Sequence, residues 1–271
     1  MSWGIYLLPS IFTLCNMCCG LYSILWTIRE RFTTAAWLIL LAIVFDGFDG
    51  YIARSMKTTS RIGIELDSFS DFVSFCIAPA ILIYSIILWQ YRTPGLAVSL
   101  IYIFFGALRL SRFNVKAHKE YDIATKMTKP STYYIEGLPV PGAAGILASL
   151  ILSFELFEKF EQGITRKAIP ILIERIPFLI HSIPVIMIIL SFFMISKMRY
   201  TSLSRLKITK RISLRTFLLI IVAILLILSY PENMIFIIFS LYLVSGLIDY
   251  FVRFYLLHTS KRNIFIKENE K

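Results

Sequence analysis

The sequence predicts an all-α fold, a polytopic membrane helix bundle of about eight transmembrane helices. Three observations predict it. Of the 271 residues, 57% are hydrophobic, and the mean hydropathy of +0.73 is too high for a water-soluble domain of this length. The apolar residues gather into stretches near the ~20 residues that a helix needs to cross about 30 Å of hydrocarbon. The basic residues, finally, are divided unevenly between alternate connections, as the positive-inside rule requires of a polytopic chain.

Taken in order, the spans read 9–28, 33–54, 62–89, 95–115, 138–157, 178–198, 216–230 and 233–257. The first holds Cys15, Cys18 and Cys19. A zinc site needs more ligands and loop access, so these read as small apolar packing residues. The second ends in a run of aspartates, and the short linker SMKTTSR makes the third its antiparallel neighbour. The fourth carries Arg109 and Arg112 near its end. The fifth opens at a Gly-Leu-Pro sequence, Pro177 and Pro184 punctuate the sixth, and the seventh is short. The eighth closes the bundle. The connection KAHKEYDIATKMTKPSTYYIEG and the segment EKFEQGITRKAIPILIERIP are expected to lie on the membrane surface. The first ten residues lack a basic region, so no cleavable signal peptide is expected. His118, His181 and His258 are isolated, and neither they nor Cys76 imply a metal site or a disulfide framework.

The net charge is +11. With the N-terminus in the cytosol, the connections after the second, fourth and sixth spans and the C-terminal tail hold well over half of the 28 Lys and Arg. Both termini are therefore expected on the cytosolic side. The run KMRYTSLSRLKITKRISLR serves as a topology determinant facing anionic headgroups rather than nucleic acid.

The stretch DGFDGYIARSMKTTSRIGIELDSFSD (46–71) sets four aspartates and a glutamate among these apolar spans. At 100° per residue, Asp49 falls about 60° from Asp46, Gly50 about 40° and Ala53 about 20°. On the next helix Gly63 and Asp71 each fall about 40° from Asp67. Two acidic faces lined with small residues can thus meet. Each carboxylate at mid-membrane costs about 2.5–3.5 kcal/mol on insertion scales. Arg54 and Arg61, at the membrane edge, supply too little positive charge to offset that. Two divalent cations would balance four aspartates, and all-oxygen ligands favour Mg²⁺ or Mn²⁺. A metal pair roughly 3.5–4 Å apart is the recurring clamp for phosphoryl chemistry. Gly50, Ala53 and Gly63 beside it leave room for a flat ligand such as a nucleobase.

The pattern D46-x2-D49-G50-x2-A53-R54-x8-G63-x3-D67-x3-D71 resembles, without a gap, the signature of the CDP-alcohol phosphotransferases. ELDSFSDFVSFCIAPA, ALRLSRFNV (107–115), GLPVPGAAG (137–145) and the N-terminal LLPSIFTLCNMCCG are similar to the phosphatidylserine synthase branch of that family. The resemblance covers about residues 7–150. It implies a six-helix catalytic core (1–199), to which hydropathy alone adds a basic loop, two additional helices and a cytosolic tail (200–271). It also implies transfer of a phosphatidyl group from CDP-diacylglycerol to the hydroxyl of L-serine, with release of CMP. Asp46, Asp49, Asp67 and Asp71 resemble the metal ligands, and Asp71 the general base. Gly50, Ala53, Arg54 and Gly63 resemble the CDP-binding wall, to which Thr13 and Asn16 on the first span can add hydrogen bonds. Serine's carboxylate calls for an arginine fork, and Arg109, Arg112 and Asn114 are the acceptor-binding candidates. The lipid bilayer and the two substrates are the expected partners, and the reading leaves room for a homodimer. Two alternatives stand beside it: the same chemistry with glycerol phosphate or inositol phosphate as acceptor, and a cation transporter that uses the aspartates as an ion path.

Overall fold

The computed structural model describes residues 3–56, 61–124, 134–161, 182–196, 199–201 and 231–249. They form helices α1 (Trp3–Ile28), α2 (Phe32–Met56), α3 (Arg61–Asp71), α4 (Ala78–Ile86), α5 (Thr93–Ala124), α6 (Val140–Glu161) and α7 (Ile183–Ile195). The last is α8 (Pro231–Asp249). Five stretches are long and apolar enough to cross a membrane: Ile11–Ile28, Phe32–Ile52, Ile62–Ile86, Thr93–Val115 and Pro231–Asp249. Val140–Phe154 in α6 and all of α7 are shorter apolar helices. The expected span 216–230, the basic run before it apart from 199–201, and the expected surface segment 158–177 beyond residue 161 lie outside the described residues. Of the other expected surface segment, 116–137, residues 116–124 instead continue α5 and 134–136 form a strand.

The bundle has an apolar exterior as well as an apolar core. Large apolar side chains such as Leu25, Trp37, Phe48, Phe104, Phe192 and Leu241 face outward. Hydrocarbon is the solvent that such an exterior suits. Helix α6 is the central element. Val140, Ala143, Ala144, Leu147, Ala148, Leu150 and Ile151 are all buried, so it is covered on nearly every side. A helix apolar all round belongs in the middle of a bundle. Helix α2 packs beside it and buries Ala35, Ala36, Ile39 and Ala42, mostly small residues of the kind that let helix backbones approach closely.

Helices α1 and α2 form a hairpin closed by a Schellman turn. Arg31 N donates to Trp26 O and Glu30 N to Thr27 O, both at 2.9 Å. Glu30 takes the left-handed position of that turn, φ 58°, where glycine is the commoner residue. The Ser23 hydroxyl adds a bond to Ala35 O at 2.9 Å.

The third span is not one uniform α-helix. Between α3 and α4 the chain widens into a π-helical turn, Phe72–Ile77. The Ala78 N–H bonds to Val73 O, five residues back. Pro79 explains the disturbance, because it has no N–H to offer the Phe75 carbonyl four residues earlier. The buried Tyr102 hydroxyl on α5 donates to that carbonyl at 3.1 Å. A Cβ on Gly106 of α5 would run into Cys76 Sγ, and one on Gly20 of α1 into Ser74. Helices α1 and α5 therefore close on the π turn from two sides at glycines.

Among the described residues the only regular non-helical structure is a ribbon of β1 (Tyr134–Glu136) and β2 (Arg199–Thr201). It pairs antiparallel, Ile135 opposite Tyr200. The ribbon brings the connection after α5 and the segment after α7 to the same end of the bundle. Leu138 N bonds to Phe193 O at 3.0 Å beside it.

Candidate active site

Helices α2 and α3 bring their acidic faces together as the spacing predicts. Oxygens of Asp46, Asp67 and Asp71 all lie within 4.8 Å of one another. Asp71 is 9% exposed and Asp49 6%, whereas Asp46 and Asp67 are half-buried. Asp67 experiences the charge of Asp46 and Asp49, and Asp71 that of Asp46 and Asp67. These are hard oxygen donors, a set suited to hold a metal ion.

Helix α1 forms the wall behind them. The Thr13 hydroxyl donates to Asp49 Oδ2, and Asn16 Nδ2 donates to Asp71 Oδ1 at 3.0 Å. Thr13 and Asn16 were expected at the donor diphosphate or base, whereas here they engage the carboxylates. Asp49, expected as a fourth ligand, is not among the three carboxylates that lie within 4.8 Å of one another, and its Oδ2 accepts from Thr13. Asn16 Oδ1, fully buried, has no hydrogen-bonding partner. An orphaned acceptor beside three carboxylates fits a cation, since nothing on the protein side satisfies it.

Two further polar residues tie the wall down. Ser70 Oγ donates to Thr13 O and Ser74 Oγ to Asn16 O, each at 2.9 Å. Both serines are fully buried. Sequence reasoning missed them, although their i, i+4 spacing within an apolar span was a usable signal. They anchor the backbone carbonyls of the two α1 residues whose side chains touch Asp49 and Asp71.

The acceptor candidates divide. Arg109 on α5 is 8% exposed, and among its charged neighbours Asp71 acts on it most strongly. Its Nε has no hydrogen-bonding partner. Arg112 does not join it. That side chain is exposed, and Nη1 donates to the carbonyl of Ile195, the last residue of α7, at 3.1 Å. It occupies one of the carbonyls that a helix C-terminus leaves unpaired. Asn114 points elsewhere again. It receives the Ser68 hydroxyl and donates to Glu65 Oε2 at 3.2 Å, while His118 Nε2 lies 2.8 Å from Glu65 Oε1. Ser68, Asn114 and Glu65 line a groove of about 210 Å³ between α3 and α5. Gly50 and Gly63 are half-buried on α2 and α3. The side chains of Ala53 and Arg54 lie outside the described residues.

Comparison with known proteins accords with this geometry. The family model for CDP-alcohol phosphatidyltransferase matches residues 6–176. A CDP-diacylglycerol--serine O-phosphatidyltransferase of Helicobacter pylori (strain ATCC 700392 / 26695) is 30% identical over 244 residues, 90% of this chain and 91% of that one. One of the same name from Bacillus subtilis (strain 168) is 35% identical over 147 residues, 54% of this chain and 75% of its own. An archaetidylserine synthase of Methanothermobacter thermautotrophicus is 39% identical over 151 residues, 54% of this chain and 58% of its own. The matched segment runs from within α1 through α6 and contains every carboxylate of the cluster. The acidic faces of α2 and α3, read first as a spacing and then found assembled, are those of a member of the CDP-alcohol phosphatidyltransferase family, to which this chain belongs.

Proposed function

We propose that the chain is a CDP-diacylglycerol--serine O-phosphatidyltransferase working in phospholipid synthesis. It transfers the phosphatidyl group of CDP-diacylglycerol to the hydroxyl of L-serine, yielding phosphatidylserine and CMP. The single observation that carries the reading is the convergence of Asp46, Asp67 and Asp71 beside the buried Arg109, in a chain whose 30% identical relative bears that name over nearly its whole length.

Asp46, Asp67 and Asp71 would hold divalent cations, with Asp49 as the fourth carboxylate. The reading has two ions, Mg²⁺ or Mn²⁺. Cations held there would neutralise phosphate oxygens and make the phosphorus more electrophilic. The protein's own groups do the rest. Asp71 takes the proton of the serine hydroxyl. The serine oxygen forms a bond to the phosphorus that carries the lipid, and the bond from that phosphorus to the bridging oxygen breaks. CMP leaves with the electron pair. Asn16, bonded to Asp71 Oδ1, holds the carboxylate in one orientation. Arg109 supplies the cation that serine's carboxylate requires. Gly50, Ala53, Arg54 and Gly63 line the cytidine side, and half-burial of the two glycines is compatible with that role.

The reading also has eight membrane spans, the six of 1–199 as the catalytic core and two beyond it. Both termini and the cleft face the cytosol, and the acceptor comes from there. The ribbon supports it, because it joins the connection after α5 to the segment after α7, two connections assigned to that side. The transporter alternative has no further support, since the family is one of transferases.

Purified protein given CDP-diacylglycerol and serine is expected to release CMP only with a divalent cation. Chelation abolishes release, and Mg²⁺ or Mn²⁺ restores it. Full turnover in excess chelator would sink the metal assignment. An acceptor panel with serine, glycerol phosphate and inositol phosphate tests the acceptor, and turnover with a phosphorylated alcohol alone would overturn serine.

A further inference from the structure

The side chain of Asn16 on α1 is fully buried. Its nitrogen is committed, for Nδ2 donates to Asp71 Oδ1 at 3.0 Å. That bond settles which end of the amide meets the carboxylate, since an ionised carboxylate only accepts. The oxygen of the same amide, Oδ1, has no hydrogen-bonding partner. Covalent geometry sets the two amide atoms about 2.2 Å apart, so Oδ1 lies within about 5 Å of Asp71 Oδ1. The Asp71 carboxylate in turn belongs to the group whose oxygens gather within 4.8 Å with those of Asp46 and Asp67.

The amide is also held in place. The Ser74 hydroxyl bonds to Asn16 O and the Ser70 hydroxyl to Thr13 O, each at 2.9 Å. One turn further along α1, a Cβ on Gly20 would run into Ser74. Residues 13, 16 and 20 share one face at 100° per residue, and that face is pressed against α3 and the π turn. A buried amide oxygen without a partner is costly. The carboxylates to which Thr13 and Asn16 bond, Asp49 and Asp71, offer no donor when ionised. What satisfies an acceptor among acceptors is a cation. An amide carbonyl is a hard, neutral oxygen of the kind that serves Mg²⁺ and Mn²⁺ beside carboxylates. Asp49, the remaining carboxylate, already has its Oδ2 engaged by the Thr13 hydroxyl.

We propose that the side-chain oxygen of Asn16 is a ligand of the cation, a neutral donor from α1 beside the carboxylates of Asp46, Asp67 and Asp71. This assignment deepens the metal reading and rests on it. The ligand set then spans three helices rather than two, and an ion bound there ties α1 to the acidic hairpin of α2 and α3. Asn16 serves the site with both ends of its amide, the nitrogen on Asp71 and the oxygen on the ion.

Full-length protein in detergent, titrated with Mn²⁺ and followed by the electron paramagnetic resonance signal of the free ion, tests this without any substrate. Asn16→Ala is expected to weaken Mn²⁺ binding at least about 10-fold. Asn16→Leu fills the space of the amide without an oxygen and is expected to bind as weakly, which separates a lost ligand from a cavity. Asn16→Asp restores an oxygen and is expected to bind near the wild-type affinity. The rise in thermal midpoint that Mn²⁺ gives the wild type is expected to shrink in the alanine and leucine variants. Wild-type Mn²⁺ affinity in either of those two overturns the proposal and leaves Asn16 as a hydrogen-bond donor to Asp71 alone. So does an Asn16→Asp variant that binds as weakly as Asn16→Ala, for then the amide nitrogen is the part that matters. Wild type that binds no Mn²⁺ overturns the metal reading itself, before any variant is compared. Weakened binding in Asn16→Ala, from a wild type that releases no CMP with serine, upholds the ligand and overturns the acceptor instead.

Discussion

Asp71 is tied to three parts of the site. It closes the acidic group with Asp46 and Asp67, accepts from Asn16 and is the charge that Arg109 feels most. The Asp71→Asn variant keeps the shape and removes the proposed base. It is expected to lower kcat by about 10²–10⁴-fold with the CDP-diacylglycerol KM within a factor of about three, and metal content measured alongside separates base from ligand. Asn16→Ala, which frees the Asp71 carboxylate to rotate, is expected to lower kcat about 10-fold with little change in either KM. An unchanged kcat would assign Asn16 to helix packing alone. At this scale the aspartates were the most legible part of the chain, because carboxylates in an apolar span have few bland explanations. Arg112 was not legible. Its spacing from Arg109 matches a fork, but a short helix ending at Ile195 presents a carbonyl to it, and no local pattern near Arg112 announces that.

The π turn is the element on which the site hangs, since it begins at the residue after Asp71. Hydropathy sees one uninterrupted span there and reports no change of helix type. Pro79 hinted at one, but the response depended on Tyr102, 23 residues later, to satisfy the Phe75 carbonyl. Tyr102→Phe leaves that buried acceptor unpaired and is expected to cost about 1–3 kcal/mol of stability, read as a lower thermal midpoint in detergent. Gly106→Ala is expected to destabilise by a similar about 1–3 kcal/mol through overpacking against Cys76. Adding Cys76→Gly to it is expected to recover most of the loss, a coupling that distant substitutions do not show. Additive losses would mean that α5 and the π turn do not meet as described. The small residues singled out from sequence, Gly50, Ala53 and Gly63, were those beside the aspartates. Gly20 and Gly106, at which α1 and α5 close on the π turn, sit in plain apolar context and carry no local mark.

For the whole molecule, alternation of direction sets the prediction. Helix α5 has 32 residues, about 48 Å at 1.5 Å per residue, against about 30 Å of hydrocarbon. Arg92, with φ 53°, precedes one end of it and the ribbon follows the other. Cysteines introduced at Arg92 and at Arg199 are expected to react with impermeant reagent from opposite sides of sealed vesicles, Arg199 from the cytosolic side. Labelling of both from one side would refute the assignment of spans. The helical class and five long apolar helices were legible from composition, for a bilayer fixes helix length within narrow limits. The ends of the shorter helices were not, because α7, at 13 residues, is buried partly by neighbours rather than by its own apolar length.

The order of these elements along the chain has a consequence for biogenesis. The three clustered carboxylates are all made by residue 71, whereas Arg109 is made later. At roughly 5–20 residues per second, translation leaves an interval of seconds between them. A nascent chain of three helices therefore meets the bilayer with its acidic cluster already complete and its own counter-charge still inside the ribosome. During that interval only protons or cations from the surroundings can neutralise the cluster. Cation supply thus bears on how the first hairpin settles in the membrane, well before there is a cleft for it to serve.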